Sequence, residues 1–141
     1  MNPTRDDDYV DFGLAFQALM VRHLNDVLKE KGMEDDIDRR EVCESFLSGL
    51  GDFFDQNWLD FDGQRVHPIL AFSETHLGPN TPLGDLQTVL FPAAGFAHRE
   101  YVYGTVADFY EDNHETTPGI VTGSVLDEDD EFYDDGEPDE W

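Results

Sequence analysis

The chain has 141 residues, eight of them basic and 33 acidic, for a formal net charge of −25. A surface of that sign repels nucleic acid and anionic lipid, because phosphates carry the same charge. Direct nucleic-acid binding is thereby the function class most clearly excluded, and a basic protein partner is the natural complement. The length suits one domain. Eleven Phe, five Tyr and two Trp supply apolar bulk for a packed interior. No apolar run approaches the roughly 18–20 residues needed to span a bilayer. Residues 1–8 carry Asp6, Asp7 and Asp8 and no apolar stretch, so they do not read as a signal peptide. Together these features lead us to expect a cytoplasmic protein without membrane contact. The single Cys43 excludes an internal disulfide and reads as a small buried hydrophobe.

In chain order, the spacing predicts a first helix from about Asp8 to Lys31. Tyr9, Phe12, Phe16, Leu19, Met20, His23, Leu24, Val27 and Leu28 recur at three- and four-residue intervals. Acids precede it, lysines close it, and Gly32 fits the left-handed residue that stops a helix. A second helix is expected from near Asp38, where Asp38 and Glu41 resemble a capping box. Val42, Phe46, Leu50, Phe53, Phe54 and Trp58 form its stripe. Gly49 and Gly51 within it suggest close packing, against the first helix for instance, or a bend. The short connection makes the two helices an antiparallel pair.

Beyond Trp58 the period changes. Asp60–Gly63 reads as a turn, and Val66–Phe72 as an edge or bulged strand interrupted by Pro68. Residues 74–84 read as a loop and Leu86–Phe91 as a strand broken by Pro92–Gly95. Tyr101–Tyr110 alternates like the strongest strand of the chain, and Ile120–Leu126 reads as a final strand. The expectation is an α+β fold: an antiparallel helix pair on a small, mainly antiparallel sheet of three or four strands, in a single domain over 1–126. Residues 127–141 hold ten acids and no basic residue, which predicts a flexible acidic tail and leaves −15 for residues 1–126.

Two functional readings follow. Phe132, Tyr133 and Trp141 stand among the tail's acids, with Asp129, Asp130, Asp134 and Asp135 around them. Such a segment suits docking on a basic, apolar groove, with charge speeding encounter and aromatics supplying contact area. A solubilising tail, or one folded back on the body, is the competing reading. The first function is therefore an acidic interaction module that binds and modulates a basic partner handling nucleic acid, in one version as a nucleic-acid mimic. Carboxylates on the two predicted helices are interrupted by Arg22, Lys29, Arg39 and Arg40, so neither makes a clean stripe.

The alternative is a small enzyme or ligand-binding domain from an acid-rich or salt-adapted source, where two Lys against 21 Asp would be ordinary. Its site would lie in the 72–99 loops near His76 and His98, with Glu100 two residues further along the predicted strand and so on the same face as His98. The five His form no paired metal motif. Asp60, Asp62 and Gly63 resemble part of a calcium loop, but Trp58 and Ile69 occupy its first and last ligand positions. No G-x-S-x-G, P-loop or dinucleotide-binding pattern occurs. No catalytic residue, metal or cofactor is assigned.

Overall fold

The computed structural model describes residues 2–116 and 118–126. The expected tail over 127–141, with its proposed contact residues, lies outside the described residues. The architecture is α+β. Strand β1 (Asn2–Arg5) leads into α1 (Asp8–Glu30) and α2 (Asp36–Asp55). The hairpin β2 (Leu59–Phe61) and β3 (Gln64–Val66) follows, then β4 (Phe72–Ser73), β5 (Thr88–Phe91) and α3 (Val102–Glu111).

Helix α1 ends as its sequence dictates. Gly32 has φ +99°, its amide bonds to Lys29 O, and Met33 N reaches back to Leu28 O at 3.0 Å. This double closure satisfies the orphan carbonyls of the last turn. Helix α2 starts earlier than the Asp38 box suggests. Asp35 is the N-cap and its carboxylate accepts from Ile37 N at 2.9 Å, which moves Asp38 into the first turn beside Asp36. The two helices run antiparallel, with Asn25 meeting Arg39 near the connection.

The interior is a three-helix core. Val21 of α1, Cys43 and Leu47 of α2, and Val102, Val106 and Phe109 of α3 are buried together, with Met20, Leu24, Leu50 and Tyr110 packed around them. The segment 102–111 is therefore a helix and not the strand its alternation suggests. Val102, Val106 and Phe109 lie four and three residues apart, a helical stripe that α1 and α2 are placed to cover. The α1 stripe is also rotated from the expected one. Tyr9, Gly13, Gln17, Ala18, Val21 and Asn25 are buried, while Phe12, His23 and Val27 face outward.

The sheet is mixed and sits at the N-terminal end of α1. Its order is β1-β5-β4, with β1 parallel to β5 and β4 antiparallel to it. The polar N-terminal segment, unmarked as a strand by its sequence, pairs Arg5 with Phe91. Tyr9 and Phe12 of α1 reach the sheet through Phe72, at ring separations of 5.2 and 5.8 Å. The run Val66–Phe72 is not one strand, since Pro68 lies between the end of β3 and the start of β4. The described residues 118–126 form no strand. Pro118, Gly119 and Gly123 interrupt them. The β2–β3 hairpin turns on Asp62 and Gly63, both at positive φ.

Candidate functional site

Gly51 explains how the end of α2 becomes a platform. A Cβ there would lie 3.0 Å from Arg99 N and 3.1 Å from Arg99 Cα, so the bare glycine admits the backbone of the 3-10 turn His98–Tyr101. The close approach is to this turn and not to α1. It brings Asp55, in the last turn of α2, under His98. Asp55 Oδ1 accepts from His98 N at 2.7 Å and from His98 Nδ1 at 2.8 Å, and Oδ2 accepts from Arg99 N at 2.9 Å. Arg99 then pairs through its side chain with Asp52 at 2.7 Å.

The other face of His98 meets Tyr9. Their contact, hydroxyl to Nε2, is 2.9 Å, and the same hydroxyl donates to Leu70 O at 2.6 Å. A hydroxyl has one hydrogen, and here it goes to the carbonyl, which can only accept. A carboxylate can only accept, so His98 Nδ1 is the donor toward Asp55, and Nε2 closes the contact to the Tyr9 hydroxyl. Burial, with a smaller contribution from the Asp55 charge, pushes the Tyr9 hydroxyl up to about 12 and keeps it a donor. Gln17 of α1 completes the hub, donating to His98 O at 2.6 Å and accepting from Thr105 of α3 at 3.0 Å. With both nitrogens engaged, His98 in this arrangement anchors α1, α2 and α3 to the 3-10 turn.

A cavity of about 520 Å³ opens beside this hub. Asp55 and His98 form one wall, Phe54, Phe91 and Phe96 supply aromatic surface, and Arg5 stands at β1. Of the other residues expected in a ligand site, His76 is exposed in the 74–84 loop, where its ring lies against Gly78. Glu100 is exposed, and because 98–101 is a 3-10 turn it does not share a strand face with His98. Among the described residues no three His, Cys, Asp or Glu side chains converge as a metal-holding group. No helix there is long and apolar enough to cross a membrane.

A second feature lies across the molecule, where α1 and α3 diverge. A groove of about 430 Å³ has an apolar floor from Leu14, Ala15, Ala18, Phe109 and Ile120, with Asp11, Asp108 and Glu115 on its rim. An adjoining depression of about 250 Å³ is lined by Asp108, Glu111, Asp112, Glu115 and Pro118. Asp108, Glu111 and Asp112 follow at helical spacings of three and four, and the turn after α3, with Asn113 and His114 at positive φ, brings Glu115 to the same depression. Glu111 pairs with Arg40 at 3.5 Å. Asp108, Asp112 and Glu115 have no cationic partner among the described residues. Reading 101–110 as a strand hides this cluster, whereas the 108-111-112 spacing was its available signal.

Helix α2 also keeps an outward apolar stripe. Phe46 and Phe53 are 55% and 46% exposed, and a Cβ on Gly49 between them would meet nothing. Phe46, expected to be in the core, therefore stands with Val42 over Asp38 and Glu41 on a shallow surface. The tail residues Asp129, Asp130, Phe132, Tyr133, Asp134, Asp135 and Trp141 fall outside the described residues. No protein-family model, curated protein or solved structure matches this chain.

Proposed function

We propose that the protein is an acidic interaction module that binds and modulates a basic partner, one that handles nucleic acid. The observation that supports this most is the α1–α3 groove, where unpaired carboxylates rim an apolar floor. A lysine or arginine side chain lays an apolar stem on such a floor while its head reaches the rim. The rest of the chain adds a long-range attractive field, since the net charge is −25. The helical spacing of Asp108, Glu111 and Asp112 also suits mimicry of a phosphate backbone. On this reading the chain works in the cytoplasm and touches neither nucleic acid nor membrane itself. The aromatics and acids of 127–141 add contacts on the partner.

The test is a titration of the full-length chain with a synthetic peptide of alternating Lys and Leu, followed by fluorescence. Binding should weaken steeply as salt rises from about 50 mM to about 500 mM and should be competed by duplex DNA. The double variant Asp108→Asn/Glu115→Gln should bind less tightly, and truncation after Leu126 should slow association. Affinity that is flat with salt, or the same in the double variant, would overturn the reading.

A second reading, a ligand-binding domain, is favoured by the cavity of about 520 Å³ beside His98. That volume is in the range of small-molecule sites, roughly 300–1,000 Å³.

A further inference from the structure

We infer that the cavity beside His98 takes a small organic carboxylate, with Arg5 as its counter-charge. The inference rests on the ligand-binding reading and concerns the charge of what enters. The chain is acidic throughout, yet this cavity is not. Asp55, its one carboxylate, is turned onto the 98–99 turn, where both of its oxygens accept: Oδ1 from His98 N and Nδ1, Oδ2 from Arg99 N. That leaves Arg5, exposed at β1, as the charged group of the lining open to a ligand.

Arg5, like Arg22, Lys29 and Lys31, holds no carboxylate among the described residues, but it alone of these lines a cavity beside the hub. Arg39, Arg40 and Arg99 each hold a carboxylate, and Arg65 lies over the Trp58 ring at 3.8 Å. The Arg5 guanidinium donates from one terminal nitrogen to Pro92 O at 2.9 Å, and among the described residues no carboxylate reaches it. The parallel pairing of β1 with β5 sets Arg5 opposite Phe91 and holds it at the cavity. Its remaining N–H groups form the planar fork that suits a carboxylate. Phe54, Phe91 and Phe96 offer aromatic surface to an apolar body of one or two rings. The surrounding negative field favours a single charge on the ligand over the two of a phosphate monoester.

The experiment is amide chemical-shift mapping of the full-length protein with 2-naphthoate and its neutral counterpart 2-naphthamide. Saturable shifts at residues 3–5, 54–55 and 91–98 are expected with naphthoate. Naphthamide should bind about ten-fold more weakly or worse, and Arg5→Gln should bring naphthoate down to the amide's affinity. Equal binding of the two ligands to the native chain, or an Arg5→Gln variant that still prefers the acid, would overturn the carboxylate assignment and leave an apolar site standing. No shift at these amides with either compound would remove the ligand-binding reading as well.

Discussion

Asp55 holds His98 twice, accepting the main-chain amide at 2.7 Å and the ring Nδ1 at 2.8 Å on one carboxylate oxygen. One side chain at the end of α2 therefore fixes both the path of the chain at the 3-10 turn and the orientation of the ring that carries the contact to Tyr9. Asp55→Ala would strand two amides and the His98 ring Nδ1. We expect it to cost about 3–5 kcal/mol, the range for breaking a buried pair. Asp52→Ala removes the more exposed ion pair to Arg99 and should cost less than about 1 kcal/mol. Guanidinium denaturation of the two variants checks the difference. Similar costs would show that the Asp55 contacts do not hold the fold.

Alkaline pH should loosen the same hub. The Tyr9 hydroxyl moves from its ordinary 10.0 up to about 12, chiefly through burial. The folded chain thus keeps a proton that the unfolded chain releases in between. Its contribution to stability is whole below about pH 10 and is lost as pH rises through about 12. Burial raises Tyr110 and Cys43 in the same direction, and Tyr110 donates to Asn25 at 2.8 Å. The denaturation midpoint should fall between pH 10 and 12, and Tyr9→Phe should flatten that fall. A midpoint constant over the interval would contradict the account. Near neutral pH, Cys43 should resist a disulfide reagent until the chain unfolds.

The sequence made α1, the α2 body and the Asp60–Gly63 turn legible because each has a local cause: a long stripe, a glycine stop, a turn dipeptide. Residues 102–111 were ambiguous for an equally local reason. Ten residues rich in Val, Tyr and Thr satisfy a period of two and a period of 3.6 together. What decides is the cover that α1 and α2 provide over Val102, Val106 and Phe109. β1 had no signature, since Asn2–Arg5 is polar and becomes a strand by pairing with a segment more than eighty residues away. His98 stood out as a residue, but its partners Asp55 and Tyr9 are 43 and 89 positions distant. Nothing local announces them. The carboxylates near α3 were visible as composition and became a cluster once the helix was seen.

Ser48 offers a test in the opposite direction. Its hydroxyl is buried in α2 and has no hydrogen-bond partner among the described residues. A buried polar group left unpaired costs about 1–3 kcal/mol, and alanine is the better helix former. Ser48→Ala should therefore raise stability, by about 1 kcal/mol. A fall in the denaturation midpoint would mean that the hydroxyl has a partner in solution, such as a buried water.

Gly51→Ala examines whether the approach of α2 to the 3-10 turn is as close as its geometry requires. Helix propensity alone favours the alanine by about 1 kcal/mol. The new methyl, however, would lie 3.0–3.1 Å from the Arg99 backbone and 3.4 Å from its Cβ. Backbone cannot swing aside as a side-chain tip can, so the turn must shift and carry His98 away from Asp55. Overpacking of this kind costs about 1–3 kcal/mol, which exceeds the gain, and the net effect should be destabilising. Gly49→Ala, two residues earlier, meets open space and should stabilise by the propensity term. The pair separates packing from propensity in one helix: opposite signs are expected in chemical denaturation. The Gly51 variant alone should also shift the amide resonances of His98 and Arg99. A stabilised Gly51→Ala with unmoved resonances would mean that the turn stands further from α2 than described.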